Sequence, residues 1–376
     1  MEERYHWEGK NRRKSLLFVY NPMAGKEQIK NKLSDIIQVF CEADFLVTLM
    51  ATNRQNDAKN AVIEYGSDFD YVVCSGGDGT MNEVATGLMR LEKRPVCGYI
   101  PAGTVNDFAS SLKIPKIMKR AAKLVTEGTV FRCDMGGFND RFFTYVAGFG
   151  AFTGVSFQTP QELKNMLGKT AYFIEALKHF AEITPHHMKI VYDDGEVEDD
   201  FLLGLVSNSV SVAGYKAYRK SDIKMDDGLF ECLFIKNIQN AIEMQEVLNA
   251  LLTKNLDAPQ MVRFSSTDVH IFCEDEVQWT LDGEDGGVWR EVVMHNHKQA
   301  LPIICGEKVL QKISLDQAPE LPEKKNWGEA LVEDIKNGTL VEGIRNDVRD
   351  LVVNMTKPAE EEAVDIDTEN DSEEDE

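Results

Sequence analysis

The chain has 376 residues, 43% apolar and 28% charged, with 63 acids against 41 bases and a net charge of −22. At roughly 150 residues per domain this length predicts two or three domains with real cores, and the composition excludes a disordered, fibrous or disulfide-stapled protein. So acidic a surface repels phosphate backbones, and nucleic acid is not expected as a partner.

The charge is uneven. Residues 355–376 hold eleven acids and one lysine, a net of −10 that leaves −12 for everything before them. Such a tail buries too little apolar surface to order itself and is expected to be disordered. Seven cysteines (Cys41, Cys74, Cys97, Cys133, Cys232, Cys273, Cys305) are scattered without CxxC spacing, which suits reduced thiols better than zinc or a disulfide framework. The start is polar and no stretch reaches the roughly 20 apolar residues of a spanning helix. A cytoplasmic protein is expected, peripheral on the inner face of the membrane at most.

From residue 15 the pattern alternates. The apolar run SLLFVY precedes a helical stripe of Ile29, Leu33, Ile36, Ile37 and Phe40, then the strand-like FLVTLM at 45–50. A second stripe (Ala58, Ala61, Val62, Tyr65) leads to YVVC at 71–74, the helix TMNEVATGLMRL, and VCGYI at 96–100. Short apolar strands separated by helices predict a parallel sheet that binds ligands at its carboxyl end.

After about residue 130 the period shortens. FRCDMGGFNDRFFTYV and MKIVYDDGEVEDDFLLGLV each read as two strands around a turn, and GLFECLFI, DVHIFC, VQWTLDG and WREVVMH are further strands of an antiparallel region. One helix is expected at 161–183 within it, on the spacing of Leu163, Leu167, Tyr172, Ile174 and Leu177. Residues 318–326 have linker composition. A helix pair follows, punctuated by Gly338 and a capping box from Thr339 to Glu342, with Leu340, Ile344, Val348, Leu351 and Val352 on one face. Such a pair packs on its own domain more often than it serves a homodimer or membrane contact.

The division expected is an α/β domain over 12–132, to which the chain returns at about 300–316, a β-rich domain over 133–299, a helical extension over 317–354, and the acidic tail.

Chemistry concentrates at the strand ends. In YVVCSGGDGTMNEV, Gly76, Gly77, Gly79 and Thr80 surround Asp78 between a buried strand and a helix, so backbone N–H groups can face a phosphate at close range. An acid inside that turn does not welcome an anion by itself; its fitting task is to hold Mg2+ against a triphosphate. An ordinary strand-to-helix turn would need fewer glycines. NPMAGK offers Asn21, Gly25 and Lys26 after the first strand, and PAGTVNDFASSL offers Gly103, Thr104, Asn106 and Asp107 after the fourth. Asn106 or Asp107 serves equally well as a helix cap. His186 with His187, and His295 with His297, lack a third ligand and read as surface or strand histidines.

These residues resemble the diacylglycerol-kinase catalytic family, especially its bacterial lipid kinases, relatives of sphingosine and ceramide kinases. SGGDGT with NEV behind it, NPMAGK before it and PAGTVNDFA after it carry the resemblance, which continues in FRCDMG, DDGLFE and LDGE and covers about residues 14–310. It implies a phosphofructokinase-like nucleotide-binding domain plus an antiparallel β-sandwich domain, with the active site between them. It also implies that Asp78 and its glycines bind ATP and Mg2+, and that Asn21, Lys26, Thr104, Asn106 and Asp107 line the same site. Asp134 would be an acidic active-site position, and Glu284, with Asp282 beside it, the acid that acts in catalysis. Asp226 and Asp227 would hold a second, structural Mg2+. Val105, Phe108, the acids of CEDEVQWTLDGEDGG and the C-terminal extension depart from the family pattern.

The reaction expected is transfer of the γ-phosphoryl group of ATP to a lipid hydroxyl, a diacylglycerol-like acceptor first, with Glu284 favoured over Asp134 as the base. A kinase of a soluble acceptor such as NAD, and a non-catalytic nucleotide- or lipid-binding regulator, are the rivals. Two basic stretches could meet a membrane: Lys113, Lys116, Lys119, Arg120 and Lys123, and Lys216, Arg219, Lys220 and Lys224. A solvated charge run explains either stretch about as well.

Overall fold

The alternating half folds as β1 (Lys14–Tyr20), α1 (Gln28–Glu42), β2 (Phe45–Ala51), α2 (Asp57–Tyr65), β3 (Tyr71–Gly76), α3 (Asp78–Met89), β4 (Val96–Pro101), α4 (Asp107–Ser111) and α5 (Met118–Glu127). Its strands are parallel in the order β2-β1-β3-β4. The step from β1 to β2 runs one way and those from β2 to β3 to β4 run the other. Right-handed crossovers therefore put α1 on one face and α2 and α3 on the opposite one. α5 packs against α1, and α2 against α3. Covered on both faces, the runs Leu16–Val19 and Val72–Cys74 are buried. The strand order reverses between β1 and β3, and a crevice for ligands opens at the carboxyl ends there.

The computed structural model describes residues 13–25, 27–150, 184–208, 224–253 and 258–306, all within the unit Met1–Gln317. Lys26, the helix expected at 161–183, the basic residues Lys216, Arg219 and Lys220, the helical extension and the acidic tail lie outside the described residues.

The second half contributes β5 (Thr129–Phe138), β6 (Arg141–Phe143), β7 (Val146–Gly150), β8 (His186–Tyr192), β9 (Gly195–Ser207), β10 (Phe230–Lys236), α6 (Ala241–Thr253), β11 (Met261–Ser266), β12 (Asp268–Leu281) and β13 (Glu284–Cys305). All its strand pairings are antiparallel except at the end of β13, where Ile303 pairs in parallel with Cys97 of β4. One mixed sheet results, in the order β11-β10-β9-β7-β12-β13-β4-β3-β1-β2. A second core of Phe138, Phe143, Phe149, Phe234 and Trp279 lies under the β-rich part, each such side chain contributing roughly 1.5–3 kcal/mol by leaving water.

Several elements differ from the sequence reading. DVHIFC and VQWTLDG are one strand, β12, whose pairing with β13 shifts register between Phe272 and Val277. The intervening acids Glu274, Asp275 and Glu276 are exposed residues of a continuous strand. WREVVMH is the middle of β13. Tyr65, expected on the apolar stripe of α2, is 40% exposed. The strands β7 and β11 and the helices α5 and α6 were not anticipated. Among the described cysteines all are free thiols, five of them buried.

Candidate active site

β3 passes into α3 without an intervening loop. Gly77 is the extended N-cap and Asp78 is already the first helical residue. Three strand ends press together here. The Ala102 N–H donates to the Gly76 carbonyl at 2.8 Å and the Asn21 N–H to the Ser75 carbonyl at 2.8 Å. A Cβ on Gly103 would lie 2.6 Å from the Gly77 Cα, and one on Gly25, at φ +58°, would overlap the Ala102 carbonyl. These glycines are thus required for the loops to touch one another, which leaves a bare backbone surface at the positive end of α3.

The side chains of the three loops divide into braces and open groups. Asn106, left-handed at φ 55°, turns its amide inward. Its Oδ1 accepts from the Gly103 N–H at 3.0 Å and its Nδ2 donates to the Gly103 carbonyl at 2.6 Å, so it shapes its own loop. The Asn21 Nδ2 lies 3.4 Å from the Thr80 Oγ1 while its Oδ1 accepts from the Met23 N–H at 2.9 Å. Thr104 is exposed, and Gly77, Asp78, Gly79 and Thr80 are half-buried.

The Asp78 carboxylate accepts from the N–H groups of Asp107 and Phe108 at 3.2 and 3.4 Å, capping α4. Burial pushes its pKa up to about 6, and the neighbouring Asp107 and Asp282 add to the rise. Asp107 is itself buried. Two acids crowded together in this way disfavour each other's ionisation, which a shared proton or a cation relieves.

Glu284 reaches the same place from far along the chain. Leu281 pairs with Glu284 across a two-residue hairpin turn, Asp282 and Gly283, both at positive φ; the Asp-Gly pair is what such a turn favours. A methyl group on Gly79 would overlap the Glu284 carboxylate. Although Glu284 is exposed, partial desolvation of its carboxyl first, then Glu83 and Asp282, push its pKa upward, against the pull of Arg141. Asp282 faces the other way. Its carboxylate accepts from Asn82 Nδ2, the N–H groups of Thr144, Tyr145 and Val146, and the Thr144 hydroxyl, at 2.7–3.0 Å.

A cleft of about 430 Å³ opens beside Glu284, lined among others by Lys59, Asn82, Glu83, Arg90 and Arg141. Glu83 caps α2, accepting from the N–H groups of Asn56 and Ala58 at 2.8 and 3.1 Å. Lys59 makes no ion pair among the described residues. The sequence reading missed this lining. Its trace in the sequence was the NEV segment and the polar positions 82, 83 and 86 of α3.

Asp134 lies in a different cluster. Fully buried, it accepts from the Gly228 N–H at 2.7 Å and the Gln299 N–H at 2.6 Å. Burial raises its pKa, as do Asp227 and Asp226. None of the groups around Asp78 is among its described partners. Asp226 is likewise raised by burial and by Asp227. Among the described residues no three His, Cys, Asp or Glu side chains converge to hold a metal ion. His187 pairs with Asp200 and Glu198, and His295 with Asp268.

A mixed α/β fold whose strand ends form a glycine-lined cradle beside two raised carboxyls is the framework of a phosphotransferase, and the comparisons with known proteins agree. Residues 15–138 match the diacylglycerol kinase catalytic domain. The chain is 33% identical over 273 residues to the diacylglycerol kinase of Bacillus subtilis (strain 168), covering 72% of this chain and 89% of that one. It is 32% identical over 277 residues to that of Staphylococcus haemolyticus (strain JCSC1435), covering 73% and 83%. A diacylglycerol kinase crystal structure from Bacillus anthracis str. Sterne superposes with a TM-score of 0.66 at 27% identity, over 80% of this chain and 100% of that one. The chain belongs to the diacylglycerol kinase family, and it is a kinase that transfers phosphate to a hydroxyl acceptor. No helix among the described residues is long and apolar enough to cross a membrane.

Proposed function

We propose that the protein transfers the γ-phosphoryl group of ATP to the hydroxyl of a diacylglycerol-like lipid. The observation that carries this reading is the contact of the Glu284 carboxylate with Gly79, beside Asp78 at the amino end of α3 and open to the cleft. Residues 12–132 and 300–316 would form a phosphofructokinase-like nucleotide-binding domain and 133–299 a β-sandwich acceptor domain. The pairing of Ile303 with Cys97 supports the return of the chain to the first of these.

A lipid hydroxyl is a weak acid, so its attack needs a proton acceptor, in-line placement and neutralisation of charge. Glu284 takes the proton; its raised pKa makes it a stronger base than an ordinary glutamate. The backbone N–H groups of Gly77 to Thr80 hold the phosphates, with Asn21, Gly103 and Thr104 around them. Asp78 and Asp107 fit Mg2+, since their crowding is what a hard cation relieves and phosphate oxygens would complete its shell. When bound, that ion neutralises the triphosphate. Asp226 and Asp227 would hold a second, structural Mg2+ next to Asp134.

Contact with an anionic membrane is supported by α5. Lys116, Lys119, Arg120 and Lys123 are exposed opposite the buried Met118, Ala121, Ala122 and Val125, with Ile117 56% exposed at its start. The decisive assay incubates the purified chain with labelled ATP, Mg2+ and separate diacylglycerol, phosphatidylglycerol, sphingoid base and NAD. Label in diacylglycerol is expected. Label in NAD alone, or in no acceptor, overturns the reading.

A further inference from the structure

Asp78, Asn82, Thr86 and Arg90 follow one another at four-residue spacing along α3 and its C-cap, and so lie on one stripe. Beyond Asp78, two members of that stripe, Asn82 and Arg90, grip the β-rich half, and Thr86 braces Asn82. The Asn82 Nδ2 uses both its protons, donating to the Asp282 carboxylate at 2.7 Å and to the Phe142 carbonyl at 3.1 Å. The Thr86 hydroxyl donates to Asn82 Oδ1 at 3.4 Å, which turns the amide nitrogen toward those acceptors. Arg90 Nη2 donates to the Asp140 carbonyl, and its guanidinium lies 5.3 Å from the centre of the Phe142 ring.

Asp282 is the other end of this grip. It is 4% exposed and collects three successive backbone N–H groups from 144–146. Tyr145 returns a hydrogen bond from its hydroxyl to the Asp282 carbonyl at 2.8 Å. Because Asp282 begins the two-residue turn that ends at Glu284, whatever holds Asp282 also sets where the Glu284 carboxylate meets Gly79. The only direct side-chain hydrogen bond described between α3 and that turn is Asn82 to Asp282.

We propose that Asn82 is a positioning residue for phosphoryl transfer: by holding Asp282 it fixes Glu284 at a set distance from Asp78. Asn82 touches neither substrate in this account, and the inference rests on the kinase reading above only for its kinetic consequence. A misplacement of about 1 Å at a reacting group lowers turnover about a hundredfold.

The test compares Thr86→Val, Asn82→Ala and Asn82→Asp with the wild type in the diacylglycerol assay, alongside amide hydrogen exchange of each protein without substrates. Turnover should fall about threefold for Thr86→Val, ten- to a hundredfold for Asn82→Ala and further for Asn82→Asp, with the KM for ATP changing less than about threefold. The order is diagnostic. A residue that merely fills space would tolerate isosteric Asn82→Asp best, whereas a donor to a carboxylate tolerates it worst. Exchange at Thr144, Tyr145 and Val146 should quicken about tenfold in both Asn82 variants and stay unchanged in β1 to β4. Wild-type turnover in Asn82→Ala, or unchanged exchange at 144–146, overturns the proposal. A wild type that phosphorylates no acceptor sinks the kinase reading instead, and the exchange data still decide whether Asn82 holds the turn. If Asn82→Ala does not fold, Thr86→Val alone must show the slower turnover and the quicker exchange.

Discussion

The two halves of the molecule supply the site in opposite ways. The parallel half presents backbone: three strand ends, stripped of side chains by Gly25, Gly77 and Gly103, abut one another at the amino end of α3. The antiparallel half presents one side chain, Glu284, on a hairpin turn that is held in place by the buried Asp282. Each loop of the backbone cradle is shaped by residues adjacent in sequence, and the parallel strands that carry the three loops bring them together. A single carboxylate brought from the far end of the chain depends on every contact between the halves.

Substitutions can break either contribution, and the largest effect is expected in the cradle. Asp78→Asn should lower phosphoryl transfer about a thousandfold or more with the fold intact, as judged by circular dichroism and steady-state assay. Normal turnover in that variant would mean that the acid at the helix start is only a cap for α4. Glu284→Gln should lose about a hundred- to a thousandfold in kcat, the usual contribution of a general base. For the wild type the acidic limb of the pH–rate profile should be shifted upward from that of an ordinary glutamate, because partial desolvation and the neighbouring Glu83 and Asp282 raise this carboxyl. An unshifted limb would remove Glu284 from that role.

Smaller effects sharpen the contrast. Gly79→Ala places a methyl group where the Glu284 carboxylate rests, and should cost about ten- to a hundredfold in kcat while ATP binding, followed by calorimetry, changes little. Asp78→Asn also has a stability signature. The folded-state pKa of about 6 lies above the ordinary 3.8, so ionising this buried acid opposes folding. That penalty is absent below about pH 4, grows between pH 4 and 6, and is full above. Without divalent ions the variant should therefore be more stable than the wild type at pH 8, by roughly 3 kcal/mol at most from urea midpoints, and nearly equal to it at pH 4. The mildest change is Lys119→Glu with Arg120→Glu on α5. It should weaken sedimentation with anionic vesicles, each cation being worth about 1 kcal/mol near such a surface, and leave turnover on detergent-dispersed lipid unaltered.

Much of this could be read from sequence, and the reason is locality. The βαβ alternation, the parallel sheet and the glycine-rich strand end around Asp78 follow from apolar runs of four to seven residues and from turn chemistry within a few positions of one another. The turn at LDGE obeys local chemistry as well, since Asp282 and Gly283 are what its positive φ angles favour. Boundaries were less legible. β12 absorbs a charged stretch as a register shift because pairing with β13 on either side of that stretch, up to Phe272 and again from Val277, keeps the strand continuous.

What tertiary structure alone decided is which polar groups face one another. Asp134 and Glu284 are both acids in family-like motifs, yet one is tied to the backbone of Gly228 and Gln299 and the other rests on Gly79. Asn82 belongs to the NEV segment that carries the family resemblance, but that segment does not say what it holds; its partner is Asp282, brought beside it by the packing of the β-rich sheet on α3. Local backbone preferences and hydrophobic period are encoded over a few residues, so the chain states them outright. Pairings of buried hydrogen-bonding groups depend on how two independently patterned halves close on each other, and no short stretch of sequence contains that information.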